Sequence, residues 1–362
     1  QQALDLAGKG EGRTAPNPPV GAVLVQDGVV VGQGFHPGAG QPHAEIFALR
    51  QAGPQARDAT LFITLEPCCH HGRTGPCTEA LIDAGVREVY VGTEDPNPLV
   101  SGQGLNRLRE AGIAVHLGVR AAACRQLIAP FAKHLATGLP YVLFKSAMTL
   151  DGCIATGAGD SRWISCKKSR ELVHKTRNRV DGILVGSGTV LADNPRLTTR
   201  LHAGDTRNAA RIVVDSRLQT SPQAEVYSPA APGRRILVTA SHHSQAALLP
   251  FGERGVEILR LDRHGDFLDP VAVMKELARL NLLFLLLEGG GRLGGALLRA
   301  GLVDRLMLFI APLLLGGDDG RHLFSGSGVE RISDAWRLAD MHTTQIDGDI
   351  LVEGEVRACL PV

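Results

Sequence analysis

The sequence carries almost no excess charge of either sign. Lys+Arg number 38 and Asp+Glu 37, a formal net charge of +1 over 362 residues. That balance argues against a polyanion-binding surface spread over the molecule, while leaving room for a local phosphate pocket. Long apolar runs are missing as well. The longest, LNLLFLLLEGG near 280–290, suits a buried strand and ends in glycines, so no segment reads as spanning a bilayer. Nor is there a disulfide framework. The seven cysteines (68, 69, 77, 124, 153, 166 and 359) are odd in number and cluster only at 68–77. Such usage indicates a reducing compartment, the cytoplasm by default, with one metal or catalytic cluster. No secretory signal opens the chain, and its start at QQALDLAGKG without methionine leads us to expect a few residues before Gln1. No internal repeat is evident.

What is present belongs to a globular α/β protein: 44% hydrophobic residues, with 43 glycines punctuating many short elements. The length favours two domains of unequal size. In the first, GAVLVQDGVVVGQGF (21–35) predicts a hairpin turning at Asp27-Gly28. AEIFALRQAG (44–53) has helical spacing and a glycine stop. TLFITL (60–65) predicts a buried strand, TEALIDAG (78–85) a helix and REVYVGT (87–93) a strand. GLNRLREAG (104–112) predicts a helix, IAVHLGV a strand, and 121–136 one further helix. This alternation implies α/β layering. Gly138-Leu139-Pro140 makes a linker, after which the pattern restarts at YVLFKSAMTLDG (141–152). VDGILVGSGTVLADNP, ARIVVDS, RRILVTA and LFLLLEGGG then read as strands ending in polar or glycine-rich loops, and SPAAPGRR (228–235) as a surface loop. We therefore expect domains at 1–139 and 140–362.

The chemistry-bearing words of the first domain are Pro42-His43-Ala44-Glu45 and Glu66-Pro67-Cys68, with Cys77 after eight intervening residues. On an ideal helix His43 and Glu45 point about 200° apart, so one ion on the flank could not serve both. With Pro42 as the first helical position, both could converge over the open N-terminal end. Cys68 sits where a strand gives way to a loop and Cys77 just before a helix, so two helix N-termini could favour thiolate over thiol. A His/Cys/Cys set leaves the fourth tetrahedral position for water, as in catalytic zinc. Glu45, a carboxylate that need not ligate, suits proton transfer in an H-x-E…P-C deaminase, although the second spacing is C-x8-C rather than C-x-x-C. Each residue alone fits a capping histidine or a small buried cysteine as well; Cys69, His70 and His71 are rival ligands on the intervening loop.

PNPPVGAVLV (16–25), PHAE (42–45), TLEPCCHHGRTGPC (64–77) and DPNPLVSGQG (95–104) together resemble the deaminase half of the bifunctional riboflavin-biosynthesis deaminase/reductase family. Cys69 stands where that family suggests serine. The resemblance makes Asn17 a contact to the base, although it also fits a turn asparagine between two prolines.

In the second domain LFLLLEGGGRLGGALLRAG reads as strand, glycine-rich turn and helix, and Gly289, Gly291 and Gly294 satisfy G-x-G-x-x-G. As a Rossmann fingerprint the word is weak, since no acidic residue closes a following strand about twenty positions on. Taken alone it fits a packed strand–helix turn equally. KSAMTLDG (145–152), SRWIS (161–165), GSGTVLADNPRLTTR (186–200), VVDS (213–216) and EGGGRLGGALL (288–298) are similar to the reductase half of the same family. The resemblance thus runs over nearly the whole chain. It implies a cytidine-deaminase-like α/β/α domain followed by a dihydrofolate-reductase-like α/β domain, with Zn2+ and NADPH as cofactors. It also implies cofactor contacts at Ala147, Trp163, Thr189, Asp193, Ser216, Gly290, Gly291, Arg292, Leu293, Gly294, Gly295 and Ala296. Substrate contacts carry over at Ser161, Arg177, Leu197, Arg200 and Glu288, with Lys145 a further candidate. Arginines suit a 5′-phosphate and Glu288 suits ribose hydroxyls; Trp163 also fits plain core, Asp193 a cap and Arg177 a solvated helix position.

The implied chemistry is zinc-dependent hydrolytic deamination of 2,5-diamino-6-ribosylamino-4(3H)-pyrimidinone 5′-phosphate, then hydride transfer from NADPH to the ribosyl group, giving a ribitylamino chain. The expected partner is this small pyrimidine ribosyl phosphate, with no nucleic acid and no membrane, in a homo-oligomer of two or more chains. Two alternatives stay open at this point: another zinc nucleoside or nucleotide deaminase with an unrelated appendage, and a pyrimidine-phosphate-binding regulator without turnover. Glu45 counts against the last, because a pure binder has no need of a proton shuttle.

Overall fold

The computed structural model describes residues 1–69, 75–98, 100–201 and 204–357. Two compact units divide the chain, Gln1–Leu139 and Pro140–Val362.

The first unit runs α1 (Gln2–Gly8), β1 (Gly21–Gln26), β2 (Val29–Phe35), α2 (Ala44–Ala52), β3 (Thr60–Leu65), α3 (Cys77–Asp83), β4 (Glu88–Thr93), α4 (Gln103–Glu110), β5 (Ala114–Leu117), α5 (Ala121–Leu127) and α6 (Ala129–Thr137). Its sheet has the order β2-β1-β3-β4-β5. β1 is antiparallel to β2 and β3, while β3, β4 and β5 are parallel. Asp27 and Gly28 both take positive φ (49° and 78°), as a two-residue hairpin turn demands. One face buries Leu24, Leu61, Ile63, Val89 and Val91 with Ala44, Ala48, Leu81, Leu105 and Leu108 of α2–α4. The other packs Val23 on Ala3 and Leu6 of α1. The result is the expected α/β/α sandwich. α2 lies unusually close to β2 because Gly32 and Gly34 share one strand face. A Cβ at either would fall within 2.1–2.6 Å of the α2 carbonyls of Ala48 and Ala44. This contact fixes the start of α2.

Two expectations for this unit need correction. The single helix over 121–136 is two, α5 and α6, parted at Ile128 where Pro130 occupies the first turn of α6. α2 begins at Ala44 with His43 as N-cap, so Pro42 precedes the helix rather than opening it, and Cys77 is the first residue of α3 rather than lying before it.

The second unit contains β6 (Tyr141–Thr149), β7 (Cys153–Ala155), α7 (Lys167–Arg179), β8 (Gly182–Gly186), α8 (Ser187–Asp193), β9 (Ala210–Val214), β10 (Arg235–Ala240), α9 (Gln245–Gly252), β11 (Glu257–Leu261), β12 (Arg263–His264), β13 (Phe267–Leu268), α10 (Pro270–Arg279), β14 (Phe284–Glu288), α11 (Gly291–Arg299), β15 (Arg305–Ala311), β16 (Arg321–His322), β17 (Arg337–Ile346) and β18 (Asp349–Arg357). Nine strands form one sheet, β11-β10-β9-β8-β14-β6-β15-β18-β17. It is parallel from β11 to β15 and antiparallel at β15-β18-β17. Central strands such as β14, buried on both faces, need the uninterrupted apolar run that the sequence shows. The glycine-rich stretch after β8, expected as loop, is helix α8; Asn194 at φ 41° caps it and Pro195 follows. Among the described residues no helix is long and apolar enough to cross a membrane.

A candidate zinc centre and a strand-edge site

The fixed start of α2 carries His43 as N-cap and puts Glu45 in the first turn. Cys68 follows the end of β3, and Cys77 opens α3. His43 Nδ1 lies 3.5 Å from Cys68 Sγ and 3.3 Å from Cys77 Sγ, and the three ligand atoms all fall within 4.8 Å of one another. Tetrahedral zinc, with bonds near 2.3 Å to sulfur and 2.0–2.1 Å to nitrogen, requires N···S separations of about 3.5 Å. The donor set and its spacing therefore fit zinc. Protons are shared within the cluster as well. Donation from Cys77 pulls the Cys68 thiol well below its usual range, and the same contact with burial pushes Cys77 up. The hydrogen bond to Cys68 also raises His43. The Cys77 N–H adds a bond to Cys68 Sγ at 3.4 Å, as expected at the start of a helix.

Glu45 is 3% exposed, and its Oε2 has no hydrogen-bond partner. Burial, then the adjoining Cys68 charge, raises its carboxyl to about 7. A buried carboxylate with one oxygen unpaired beside three ligand atoms is suited to exchanging a proton near neutrality. Asn17 is drawn to the same place by a residue the sequence reading missed, His36. The His36 ring accepts from the Asn17 amide at 3.2 Å, donates to Pro42 O at 3.1 Å and packs edge-on to His43 at 5.4 Å. Burial lowers the His36 pKa, consistent with a neutral ring in both bonds. Glu66, part of the Glu66-Pro67-Cys68 word, had no role assigned from sequence. Its carboxylate gathers four backbone N–H groups, from Asp95, Gly102, Gly104 and Leu105, and so ties the loop before α4 to the strand that delivers Cys68. Cys69 is half-buried and unpaired; His70 and His71 lie outside the described residues.

In the second unit the parallel strands bring several expected residues to one edge. Glu288 ends β14 in register with Lys145 of β6. Arg177 reaches it from α7, with Nε 2.6 Å and Nη2 2.8 Å from the two carboxylate oxygens and Nη1 3.0 Å from Thr198 O. Against the pull of burial, the Arg177 and Lys145 charges hold the Glu288 carboxyl low. Burial in turn lowers Lys145. His174, one turn before Arg177, was not anticipated. Its Nδ1 accepts the Arg200 N–H at 3.3 Å, and burial with the Arg177 and Arg200 charges depresses it to about 4. Arg200 is exposed and donates to Thr198 Oγ1. Leu197, 3% exposed, holds a positive φ of 51° in the turn that carries Arg200.

The glycine turn divides its work in a way spacing did not reveal. Gly289 and Gly290 have φ 72° and 68°, and a Cβ on Gly290 would stand 3.0 Å from Thr189 Oγ1. Gly291 and Gly295 instead admit the chain at 322–325, and Gly294 admits the Phe144 ring. Backbone at 289–290 and the start of α11 thus form a cradle with Thr189 that a side chain would fill, which fits a pyrophosphate. Leu293 backs onto Gly186, Ala296 is half-buried and Arg292 exposed. Ala147 lies on β6 opposite Phe309. Ser161 is half-buried in the turn before α7, and Trp163, 67% exposed, stacks under the Arg170 guanidinium at 4.5 Å. Asp193 O accepts from Arg162. Ser216 stands apart, past the end of β9.

Residues 1–93 match the cytidine and deoxycytidylate deaminase zinc-binding region, and residues 140–352 the RibD C-terminal domain. The chain is 41% identical over 354 residues to riboflavin biosynthesis protein RibD of Synechocystis sp., covering 98% of this chain and 94% of that one. It is 42% identical over 345 residues to the Escherichia coli protein of that name, covering 92% of each. Among solved structures, Acinetobacter baumannii RibD superposes with TM-score 0.85 at 36% identity, over 99% of this chain and 97% of that one. A Thermotoga maritima diaminohydroxyphosphoribosylaminopyrimidine deaminase/5-amino-6-(5-phosphoribosylamino)uracil reductase does so with TM-score 0.85 at 37% identity and the same coverage. The expected pairing of a cytidine-deaminase-like domain with a dihydrofolate-reductase-like one is thereby met, and both alternatives, the other deaminase and the non-catalytic regulator, fall. The chain belongs to the RibD family of bifunctional riboflavin-biosynthesis enzymes, zinc-dependent deaminases that are also NADPH-dependent reductases.

Proposed function

We propose that this enzyme deaminates 2,5-diamino-6-ribosylamino-4(3H)-pyrimidinone 5′-phosphate in residues 1–139 and reduces the ribosyl group of the product in residues 140–362. The observation that carries the first step is the buried Glu45 carboxylate, its Oε2 without a hydrogen-bond partner, beside the His43/Cys68/Cys77 set. His43, Cys68 and Cys77 would hold the zinc, which would activate water for attack at neutral pH. Glu45 moves both protons of the attacking water, one to the ring nitrogen and one to the exocyclic nitrogen, which leaves as ammonia as the carbonyl forms. Asn17, anchored by His36, orients the base.

In the second step NADPH supplies the hydride. Gly289, Gly290 and Thr189 hold the pyrophosphate, with the rest of the turn through Ala296 behind it; Ala147, Trp163, Asp193 and Ser216 complete the cofactor side. Glu288, kept ionised by Arg177, takes the ribose hydroxyls, with Lys145 alongside. Ser161 and Leu197 line the substrate side, and the exposed Arg200 receives the 5′-phosphate, aided by the remaining N–H groups of Arg177. The edge strand β17, with Met341 57% exposed, supports a homo-oligomer. Unpaired cysteines among the described residues agree with a cytoplasmic setting.

The test uses purified protein, the diaminopyrimidine substrate and absorbance followed with and without NADPH, alongside metal analysis. Ammonia release without NADPH, oxidation of NADPH only after it, and about one zinc per chain are expected. Full deamination after chelation would refute the zinc reading.

A further inference from the structure

The parallel order β9-β8-β14 sets three strand ends side by side at one edge of the sheet. The glycine cradle follows β14, Thr189 follows β8, and Asp215-Ser216-Arg217 follows β9. Two strand spacings separate the outer pair, roughly 10 Å, the scale of one nucleoside. A dinucleotide whose pyrophosphate rests on Gly289-Gly290 therefore brings its adenosine towards the end of β9.

In nucleotide sites of parallel sheets, an acidic side chain near a strand end takes an unmodified ribose 2′-hydroxyl, whereas an arginine accommodates a 2′-phosphate. Asp215 is the acidic residue at this strand end, and it is turned inward. It is 1% exposed, and its Oδ2 accepts the Thr220 N–H at 2.7 Å and the Thr220 hydroxyl at 2.8 Å. What faces outward is of opposite character. Ser216 is fixed by His243 Nε2, which donates to its carbonyl at 3.0 Å, and its own hydroxyl donates to Asp266 O at 3.3 Å. Arg217 lies over the Phe267 ring at 5.7 Å. Across from it the β12–β13 hairpin brings Arg263. Both guanidiniums converge on one carboxylate, Asp266, at 3.6 Å from Arg217 and 3.0 Å from Arg263, and that carboxylate is 68% exposed.

We propose that Ser216, Arg217 and Arg263 form the subsite for the 2′-phosphate of NADPH, and that this phosphate replaces the Asp266 carboxylate between the two arginines. A phosphate dianion outcompetes a single exposed carboxylate for two guanidinium forks, while the hydroxyl of NADH has no charge with which to displace it. Asp266 thereby acts as an internal competitor of the 2′-phosphate, and the two arginines give the phosphorylated cofactor its advantage. The inference rests on the cofactor reading of the glycine turn and adds to it the residues that choose between two nicotinamide cofactors.

Calorimetric titration of the full-length protein tests it, with adenosine 2′,5′-bisphosphate, AMP, NADP+ and NAD+ as probes. Arg217→Gln and Arg263→Gln should each weaken the bisphosphate and NADP+ about 10- to 100-fold, the worth of a charge-assisted contact, and leave AMP and NAD+ within about twofold. Asp266→Asn should tighten the bisphosphate several-fold without moving AMP. The ratio of KM for NADPH to KM for NADH should shift in the same directions. Equal weakening of AMP and bisphosphate in the arginine variants would overturn the proposal, as would no change in either. Asp266→Asn that fails to tighten the bisphosphate would overturn the competitor role. A parent protein that binds neither NADP+ nor the bisphosphate would refute the glycine-turn reading itself, whereas NADP+ binding indifferent to all three substitutions refutes the subsite alone.

Discussion

Arg177→Met removes one half of an ion pair whose side chains are 12% and 10% exposed, so instability should accompany the weaker binding of the substrate phosphate. Three contacts vanish, two to Glu288 and one to Thr198 O. Glu288 then keeps a buried carboxylate whose nearest remaining cation is Lys145, its register neighbour on β6. Stripping one partner from a buried pair costs about 3–5 kcal/mol, and Lys145 should hold the loss near the lower figure, about 3 kcal/mol. For a domain of this size each kcal/mol moves the melting temperature about 2–4 °C, so a fall of about 6–12 °C is expected.

Scanning calorimetry of the full chain at pH 7 measures it. Zinc chelation lowers the transition of the deaminase unit, which identifies the other transition as that of the reductase unit. Glu288→Leu combined with Arg177→Met should cost less than the sum of the single changes, because no buried charge is then left unpaired. An unchanged transition together with a raised KM for the phosphorylated substrate would refute this reasoning. The guanidinium would then serve the substrate phosphate alone, and the Glu288 contact would contribute little to stability.

Glu45→Gln should keep about one zinc per chain and the reductase activity while deamination falls about 100-fold or more; loss of the metal with the fold intact would reassign Glu45 as a ligand. His174 should make the reductase unit acid-sensitive. Its folded pKa, about 4, lies below the ordinary value of 6.5, so between these limits the unfolded chain binds more protons and stability falls as pH falls. The reductase transition should therefore drop from pH 7 to pH 5 by less in His174→Gln than in the parent, and an identical drop would remove His174 as the cause. Gly290→Val should weaken NADPH binding about tenfold or more while sparing the substrate's KM, since φ is +68° and the new Cβ meets Thr189; fluorescence titration with NADPH reads it.

The candidate zinc centre was legible because its residues sit at element ends that local signals mark. His43 precedes an alanine-spaced helix, Cys68 lies just past a mostly apolar strand, and Cys77 follows a proline. Convergence of such ends needs only the layered fold. What stayed hidden depends on contacts far along the chain. Arg177 meets Glu288 across 111 positions, and His36 meets Asn17 across 19; no local periodicity records such pairings. α8 was obscured because Gly186 and Gly188 argue for loop by propensity, whereas Asn194-Pro195 and packing against β8 decide for helix. β17 gave no alternation to read because most of it is exposed on both faces.

The glycine turn carries the sharper lesson. G-x-G-x-x-G suggested one purpose for all its glycines, yet each is explained by whatever would collide with its Cβ. At Gly291 and Gly295 that is the chain at 322–325, and at Gly294 it is Phe144. Protein thus already fills the space beside Gly291 and Gly294, two of the three glycines the motif would assign to a nucleotide, and beside Gly295. Only Gly289 and Gly290 combine positive φ with surroundings limited to the Thr189 side chain. A motif constrains backbone conformation and approach, but what approaches is set by the fold. Substitutions should follow that division: bulk at Gly294 should be felt as lost stability through Phe144, and bulk at Gly290 as lost affinity for the cofactor.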